Sequence, residues 1–294
     1  MTQALAQYYI AGMLLLTALL SACGSDDVSV RYGAERVLWR AEQARAGLPS
    51  HALADTGRTW SALASRYGRI AETYEGWAAW NPSSPVREDL LEVAAEARWQ
   101  ATRMYKALAD TASIRNEIDR LVEYDAYPVP IVVRAMRRRA DIAAAYGDVD
   151  PWIADLRELW TRVRHSTRWS RNLIGVPAEM VLAQTRRGEP DSIRVEHTRA
   201  IKEYEWLSTR ESASLARAAD LERAALLNDV GRFDDAARLL GPEVRKMMGQ
   251  KSRRGDQIGF VVRAVELLTE AVSAGAAEAA DLQDPLEFIV ESSA

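Results

Sequence analysis

Few residues in this sequence have the types and spacing that catalysis or metal binding requires. The single cysteine, Cys23, excludes an intramolecular disulfide and a cysteine-ligated metal site. Three histidines lie far apart and belong to no ligand-spaced motif: His51, His165 and His197. Glu196 beside His197 could form an acid–base pair, but two solvated neighbours on a helix are the simpler interpretation. The sequence therefore predicts no metal site and no cofactor, and it favours a protein that is not an enzyme.

Arginine offers binding chemistry instead. One cluster is formed by Arg137, Arg138 and Arg139, and a second by Arg162, Arg164, Arg168 and Arg171. Because guanidinium groups form forked pairs with carboxylates and phosphates, either cluster could receive acidic side chains, a lipid headgroup or the carboxylate end of a peptide. The alternative is an ion-paired helix surface without a partner. From these clusters Arg137, Arg138, Arg139, Arg164 and Arg168 are candidate partner-binding residues.

Tryptophan is abundant, with nine tryptophans against three phenylalanines. Five of them fall in apolar helical registers and are expected in the core: Trp39, Trp60, Trp99, Trp152 and Trp160. Trp77 and Trp80 precede Asn81-Pro82 and are less constrained. These two are candidate aromatic contacts for a protein partner, because tryptophan is enriched where proteins bind one another.

Composition and charge bound the class of protein. The chain has 294 residues, 48% hydrophobic and 27% charged, which is typical of a folded protein of one extended or two compact domains. The formal net charge of -4 excludes nucleic acid as an expected partner, because nucleic-acid-binding domains are usually basic, with a pI above about 9.

The clearest structural signal is a helical hairpin over residues 213–246. Leu215, Ala219, Ala224 and Leu227 recur at three- and four-residue intervals, which is the period of one helix face. Gly231 predicts the helix stop, and a second apolar stripe begins five residues later. Such a hairpin cannot bury its apolar face alone, so stacked neighbours of the same kind are expected.

The same pattern predicts four earlier hairpins, over residues 30–77, 85–122, 130–163 and 177–207, and a capping helix over residues 257–274. The turn glycines Gly147, Gly188 and Gly231 recur about every 42 residues, which is within the range of helix-pair solenoids. The predicted fold is all-α, an α-solenoid of about five helix-turn-helix repeats with a C-terminal capping helix. Residues 30–274 form this domain, and residues 275–294 form an acidic, alanine-rich tail.

The N-terminal residues resemble a targeting signal. An apolar run over residues 9–22 is too short to span a bilayer comfortably and is typical of a signal-peptide core. It ends in Leu20-Ser21-Ala22-Cys23, which resembles the lipobox of bacterial lipoproteins. The resemblance implies a signal peptide over residues 1–22, an acylated Cys23 and a lipidated tether over residues 23–29. An unprocessed membrane anchor and a chance match are the alternatives, and the first nine residues lack the usual lysine or arginine.

Two further resemblances refine this prediction. The residues that resemble the tetratricopeptide pattern are Ala224, Leu227, Gly231, Phe233, Ala236 and Leu240. A lipobox, a short tether and about five such hairpins together resemble the lipoprotein subunit of the outer-membrane β-barrel assembly machinery, which places Tyr-Pro at repeat ends as in Tyr127-Pro128. An aspartate directly after the lipidated cysteine retains lipoproteins in the inner membrane. Position 24 is a glycine instead, so by resemblance the outer membrane is favoured.

These resemblances imply a non-enzymatic scaffold, lipid-anchored at the periplasmic face of the outer membrane, that binds protein segments of the cell envelope. Outer-membrane protein assembly is one role that they imply. The alternative is a periplasmic lipoprotein that binds a small ligand between its repeats, in transport or envelope maintenance. An enzyme acting on the cell wall is the third possibility.

Overall fold

The computed structural model describes residues 25–48, 56–210, 212–249, 255–278 and 282–293, and these contain thirteen α-helices and no strand. The helices are α1 (Ser25–Ala46), α2 (Gly57–Trp80), α3 (Arg87–Ala107), α4 (Thr111–Glu123), α5 (Val129–Tyr146), α6 (Val149–Val163), α7 (Thr167–Asn172), α8 (Val176–Arg187), α9 (Pro190–Ser208), α10 (Ala213–Asp229), α11 (Phe233–Met248), α12 (Gly255–Ser273) and α13 (Gln283–Ser293). The predicted all-α class is confirmed. The predicted signal peptide and Cys23 lie outside the described residues.

The chain divides within α5 into two compact units, Met1–Arg139 and Ala140–Ala294. In the first unit, α2 packs along α3, α3 packs against α4, and α1 contacts both α2 and α3. The largest side chains that are fully enclosed here are Tyr67, Leu90, Leu91, Ile118, Leu121 and Met136. Each leucine removed from water in this way contributes about 2 kcal/mol of hydrophobic stabilisation.

The turn between α3 and α4 contains no glycine, and alanine takes the place of one. Ala109 has φ 55°, which is the left-handed region that a helix stop requires and that costs an L-residue free energy. The backbone N–H of Asp110 donates to the carbonyl of Tyr105 at 3.0 Å, which closes the stop. Asp110 also caps α4, as its side chain accepts from the Ser113 backbone N–H at 3.0 Å.

In the second unit the helices pack as sequential neighbours. α6 packs on α8, α8 on α9, α9 on α10 and α10 on α11, while α12 covers α10 and α11. The predicted turn glycines Gly147, Gly188 and Gly231 have φ 75°, 79° and 74°. The stop between paired helices therefore forms where glycine makes the left-handed conformation inexpensive.

Helix boundaries differ from the prediction at both ends of the described chain. α1 begins at Ser25, so residues 25–29 of the predicted tether are helical. This stretch has no helix breaker, and aspartates in a first turn suit the positive end of the helix dipole. At the other end, α13 forms within the predicted tail, where Leu282 and Phe288 join the core of α11 and α12. The short helix α7 also has no counterpart in the prediction.

Tryptophan burial follows the prediction in three helices and contradicts it in α1. Trp60, Trp152 and Trp160 are buried, and Trp99 is half-buried. Trp39 was expected in the core and is instead 56% exposed. The prediction is wrong because α1 carries apolar residues on two faces, and the face that packs inward is the one with small alanines. Tyr32 and Ala44 of α1 are exposed as well.

Candidate protein-binding surface

The strongest candidate site is a polar surface formed by α6 and α9, called here the α6–α9 surface. From α6 and the residue after it come Arg157, Trp160 and Arg164, spaced three and four apart so that they share one helix face. From α9 and its C-terminal end come Val195, Glu196, Arg199, Lys202, Glu203, Trp206 and Arg210. Ion pairs between the two helices hold these side chains in place.

Glu196 is the buried anion of this surface, with a side chain only 3% exposed. One of its oxygens accepts hydrogen bonds from Arg157 at 3.2 Å and from Arg199 at 3.3 Å. Both arginines remain 49% exposed, and the second oxygen of Glu196 has no hydrogen-bond partner among the described residues. The buried carboxylate thus fixes two guanidinium groups whose remaining N–H donors face solvent.

Glu203 makes a second junction between the helices. It accepts from the indole N–H of Trp160 at 3.2 Å and from Arg164 at 2.8 Å. Arg164, a predicted partner-binding residue, therefore lies on this surface, with its side chain 37% exposed.

Two arginines lie over the ring of Trp206, close to Glu203. The guanidinium carbons of Arg164 and Arg210 lie 5.8 and 4.8 Å from the centre of its ring. His165 meets the same ring edge-on at 5.5 Å between centroids. Cation–π pairs of this kind contribute roughly 0.5–1 kcal/mol each where solvent reaches them, so they orient the arginines more than they stabilise the fold.

Two shallow depressions lie on α9, with volumes of about 520 and 280 Å³, and they share Val195 and Arg199. Val195 is an exposed apolar side chain, 57% accessible. The depressions are also lined by four cations and three carboxylates: Arg157, Arg194, Arg199, Lys202, Asp191, Glu196 and Glu203. Each carboxylate is paired with an arginine. An apolar side chain beside half-exposed arginines suits a protein segment that carries acidic side chains beside an apolar one.

The rest of the second arginine cluster lies elsewhere. The exposed Arg168 belongs to α7 and stacks on its neighbour Trp169 at 5.3 Å. Arg162 pairs with Glu158 one helical turn earlier at 3.0 Å. Of this predicted cluster only Arg164 reaches the α6–α9 surface.

The first arginine cluster is not a surface patch. Arg137, Arg138 and Arg139 are all half-buried, and successive residues of a helix point about 100° apart, so they cannot share a face. Arg139 pairs with Asp119 of α4 at 3.4 Å. A role of Arg137, Arg138 and Arg139 in binding a partner stays a prediction.

The two candidate tryptophans differ in exposure. Trp77 is half-buried and its carbonyl accepts from Asn81, while Trp80 at the end of α2 is 87% exposed. A role of Trp77 and Trp80 in binding a partner stays a prediction.

Glu196 and His197 do not form an acid–base pair, because adjacent residues on a helix point in different directions. Glu196 faces α6, whereas His197 lines a separate pocket of about 560 Å³ with Asp229 and Ile193. Burial lowers the pKa of His197 and the charge of Asp229 opposes that shift. The simpler interpretation of two solvated neighbours is wrong as well, since Glu196 is buried and His197 is half-buried.

A second ionic network, in the first unit, was missed by sequence reasoning. Arg98 of α3 is 3% exposed and donates to Glu75 of α2 and to Glu117 of α4, each at 2.7 Å. The hydroxyl of Tyr127 accepts from Arg98 at 3.0 Å and donates to Glu75. This set of residues is called here the Arg98 network.

Protonation in the Arg98 network is fixed by its geometry. Burial disfavours the charged guanidinium, but the hydrogen bonds that Arg98 donates to Glu75 and Glu117 outweigh it and raise the pKa of Arg98. Burial and the Glu75 carboxylate raise the pKa of Tyr127. The arginine therefore stays charged and the tyrosine stays neutral, which suits a structural link between α2, α3 and α4 rather than proton transfer.

In the described part of the chain, no group of three histidine, cysteine or acidic side chains is placed to hold a metal ion. No helix there is both long and apolar enough to cross a membrane. No protein-family model matches the sequence, and no curated protein matches it.

Proposed function

We propose that the protein is a membrane-anchored helical scaffold that binds protein segments of the cell envelope on its α6–α9 surface. The observation that carries this proposal is the arrangement of two half-exposed arginines, Arg157 and Arg199, fixed by the buried carboxylate of Glu196 beside the exposed Val195. The anchor rests on the resemblance of residues 20–23 to a lipobox.

The helix pairs support a repeat architecture for this scaffold. α1–α2, α3–α4, α5–α6, α8–α9 and α10–α11 are its five proposed repeats, with α12 as the capping helix. Helix-pair repeats commonly bind extended or helical segments of other proteins. Placement at the periplasmic face of the outer membrane, with a role in outer-membrane protein assembly, completes the proposal.

Acidic segments are the proposed partners. Arg157 and Arg199 can bind a partner carboxylate without releasing Glu196, because each guanidinium has further N–H groups to donate. A hydrogen bond to a charged group contributes about 1.5–3 kcal/mol, and burial of Val195 beneath the segment adds hydrophobic stabilisation. Binding should weaken as salt concentration rises, because exposed charges are screened over about 10 Å at 0.1 M salt.

Affinity purification of the tagged full-length chain from native membranes tests the proposal. The test variant is Arg157→Glu/Arg199→Glu, and the matched control is Arg232→Glu/Arg238→Glu, which reverses two exposed charges on and beside α11. A third variant, Cys23→Ala, removes the anchor.

We expect β-barrel proteins or a barrel assembly factor to copurify with the parent chain and the control, and to be lost with Arg157→Glu/Arg199→Glu and with Cys23→Ala. Equal recovery with both charge-reversed variants would reject the α6–α9 surface as the binding site. Absence of any enriched envelope protein would reject the scaffold itself.

A small-ligand carrier is the second candidate function, favoured by one cavity. This cavity has a volume of about 760 Å³, which is within the range of ligand pockets. Arg238 and Arg245 lie beside Met248, Leu268 and Pro285 in its lining, so an amphipathic anion would fit. A ligand of this kind should raise the melting temperature of the parent chain but not of Arg245→Ala.

A further inference from the structure

Helix α1 has two apolar faces, and only one of them is used in packing. Ala34 and Ala41 are fully buried against α2 and α3. On the opposite side, Val28, Tyr32 and Trp39 are 65%, 64% and 56% exposed. Their spacing of four and seven residues places all three within about 40° around the helix axis. α1 therefore presents three exposed apolar side chains on one side, called here the outer stripe, with the exposed Glu35 next to them between Tyr32 and Trp39.

The charges beside the outer stripe are arranged in two flanks. On one flank Arg36 lies over the Tyr32 ring at 5.9 Å, and Arg40 follows one turn later. On the other flank, Glu35 is paired with Arg31 at 2.9 Å, and Arg31 also reaches Asp89 at 2.8 Å. One side thus offers guanidinium groups on long stems, while the other side carries Glu35, which Arg31 neutralises, and the half-buried Glu42. Aromatic rings with flanking arginines are typical of helices that lie in the headgroup region of a bilayer.

The position of α1 in the chain identifies what covers the outer stripe. The apolar run over residues 9–22 and Cys23 come directly before Ser25, the first residue of α1. Two residues span at most about 7 Å, so an acyl chain on Cys23 or an uncleaved apolar run would hold the start of α1 at the membrane surface. A soluble partner would have to compete with lipid that is already present at this distance.

We propose that the outer stripe of α1 lies in the headgroup region of the membrane, with Val28, Tyr32 and Trp39 in contact with lipid and Arg36 and Arg40 directed to lipid phosphates. This inference rests on the membrane anchor of the proposed function. It adds an orientation for α1 itself, whose outer stripe faces the bilayer. The lipid anchor and α1 together supply the two signals that stable membrane attachment requires.

The test uses the full-length chain in vesicles of phosphatidylethanolamine and phosphatidylglycerol. Trp39→Cys is labelled with an environment-sensitive fluorophore, and the matched control is Trp80→Cys, since Trp80 is an exposed tryptophan of the same unit. The parent chain, treated with the same reagent, reports whether Cys23 has a free thiol. Flotation with the vesicles reports the anchor, and quenching by nitroxide attached to the lipid reports contact with the membrane.

We expect the label at position 39 to shift to shorter emission wavelength and to be quenched severalfold more than the label at position 80. Equal quenching at the two positions in chains that float with the vesicles would overturn the inference and leave the anchor intact. A parent chain that does not float would overturn the membrane anchor of the proposed function and the inference with it. A shift at position 39 that occurs without lipid and grows with protein concentration would identify a second copy as the covering surface and overturn the membrane assignment.

Discussion

The Arg98 network and the α6–α9 surface use the same chemistry in opposite ways. In the first, the arginine side chain is 4% exposed and its donors are taken up by Glu75, Glu117 and Tyr127. In the second, the carboxylate is the enclosed group, and the arginines that pair with it are half exposed. The difference teaches that the buried partner of an ion pair decides which group stays accessible: a buried arginine leaves no donor for solvent, while a buried carboxylate leaves two arginines half-exposed.

Removal of Arg98 should have the largest effect. Arg98→Met leaves Glu75 and Glu117 without their common partner, and breaking a buried pair typically costs about 3–5 kcal/mol. Urea denaturation followed by circular dichroism measures the change in unfolding free energy. The matched control is Arg120→Met, whose exposed pair with Glu72 should contribute little. Equal losses in the two variants would show that the Arg98 network does not stabilise the first unit.

Neutralising Glu117 in the Arg98 network should destabilise the protein more than neutralising Glu196 in the α6–α9 surface. Glu117→Gln should destabilise the protein by about 2–3 kcal/mol, because Arg98 would stay buried with less charge compensation. Glu196→Gln should cost less than about 1 kcal/mol, because Arg157 and Arg199 can turn to water. The same denaturation experiment compares them directly, and a larger loss for Glu196→Gln would reverse our distinction between the two networks.

Asp220 in the second unit is a partly buried carboxylate whose charge is not fully compensated by its neighbours. Burial raises its pKa to about 6, and nearby Arg223 only partly opposes this shift. Between pH 4 and 6 the folded state then binds more protons than the unfolded state, so the free energy of unfolding should fall as pH rises through this window.

Asp220→Asn should therefore stabilise the protein at pH 7.5, by about 1 kcal/mol after allowance for partial exposure, and have no such benefit at pH 4. Melting temperatures of parent and variant at the two pH values test this. A difference that does not depend on pH would show that Asp220 does not titrate in this way.

The smallest effects concern the turns of the two units. Ala109→Gly should stabilise the first unit by about 0.5–1 kcal/mol, because glycine adopts the left-handed conformation without the steric cost that alanine bears. Gly188→Ala should destabilise the second unit by a similar amount, since an added Cβ would meet no atom within 4 Å and only the backbone conformation opposes it. Thermal unfolding measures the change in stability of both variants. Changes of the same sign would contradict our assignment of the left-handed conformation as the cause.

Local signals in the sequence explain what was predicted well. Gly188 and Gly231 stop helices through their own backbone preference, and Trp152 and Trp160 are buried as their register indicates. Arg98 could have been found in the same way, because it falls within the apolar register of Ala94 and Ala101.

The rest depends on contacts between distant residues. α1 has two apolar faces, and only the position of α2 and α3 decides that Trp39 is outside and Ala41 inside. Likewise the role of Glu196 follows from the approach of Arg157 on another helix. Val195 could not be distinguished from an ordinary exposed valine until the arginines around it were placed.

Site-specific photocrosslinking at Val195 in native membranes tests the central claim most directly. The probe replaces Val195, with Leu182 as the control position because it is a similarly exposed apolar residue on α8. Our account predicts a crosslink to acidic segments of an envelope protein at position 195 only, weakened by salt and lost in the Arg157→Glu/Arg199→Glu variant. Identical products at both positions, or a product at 195 that survives charge reversal, would contradict it.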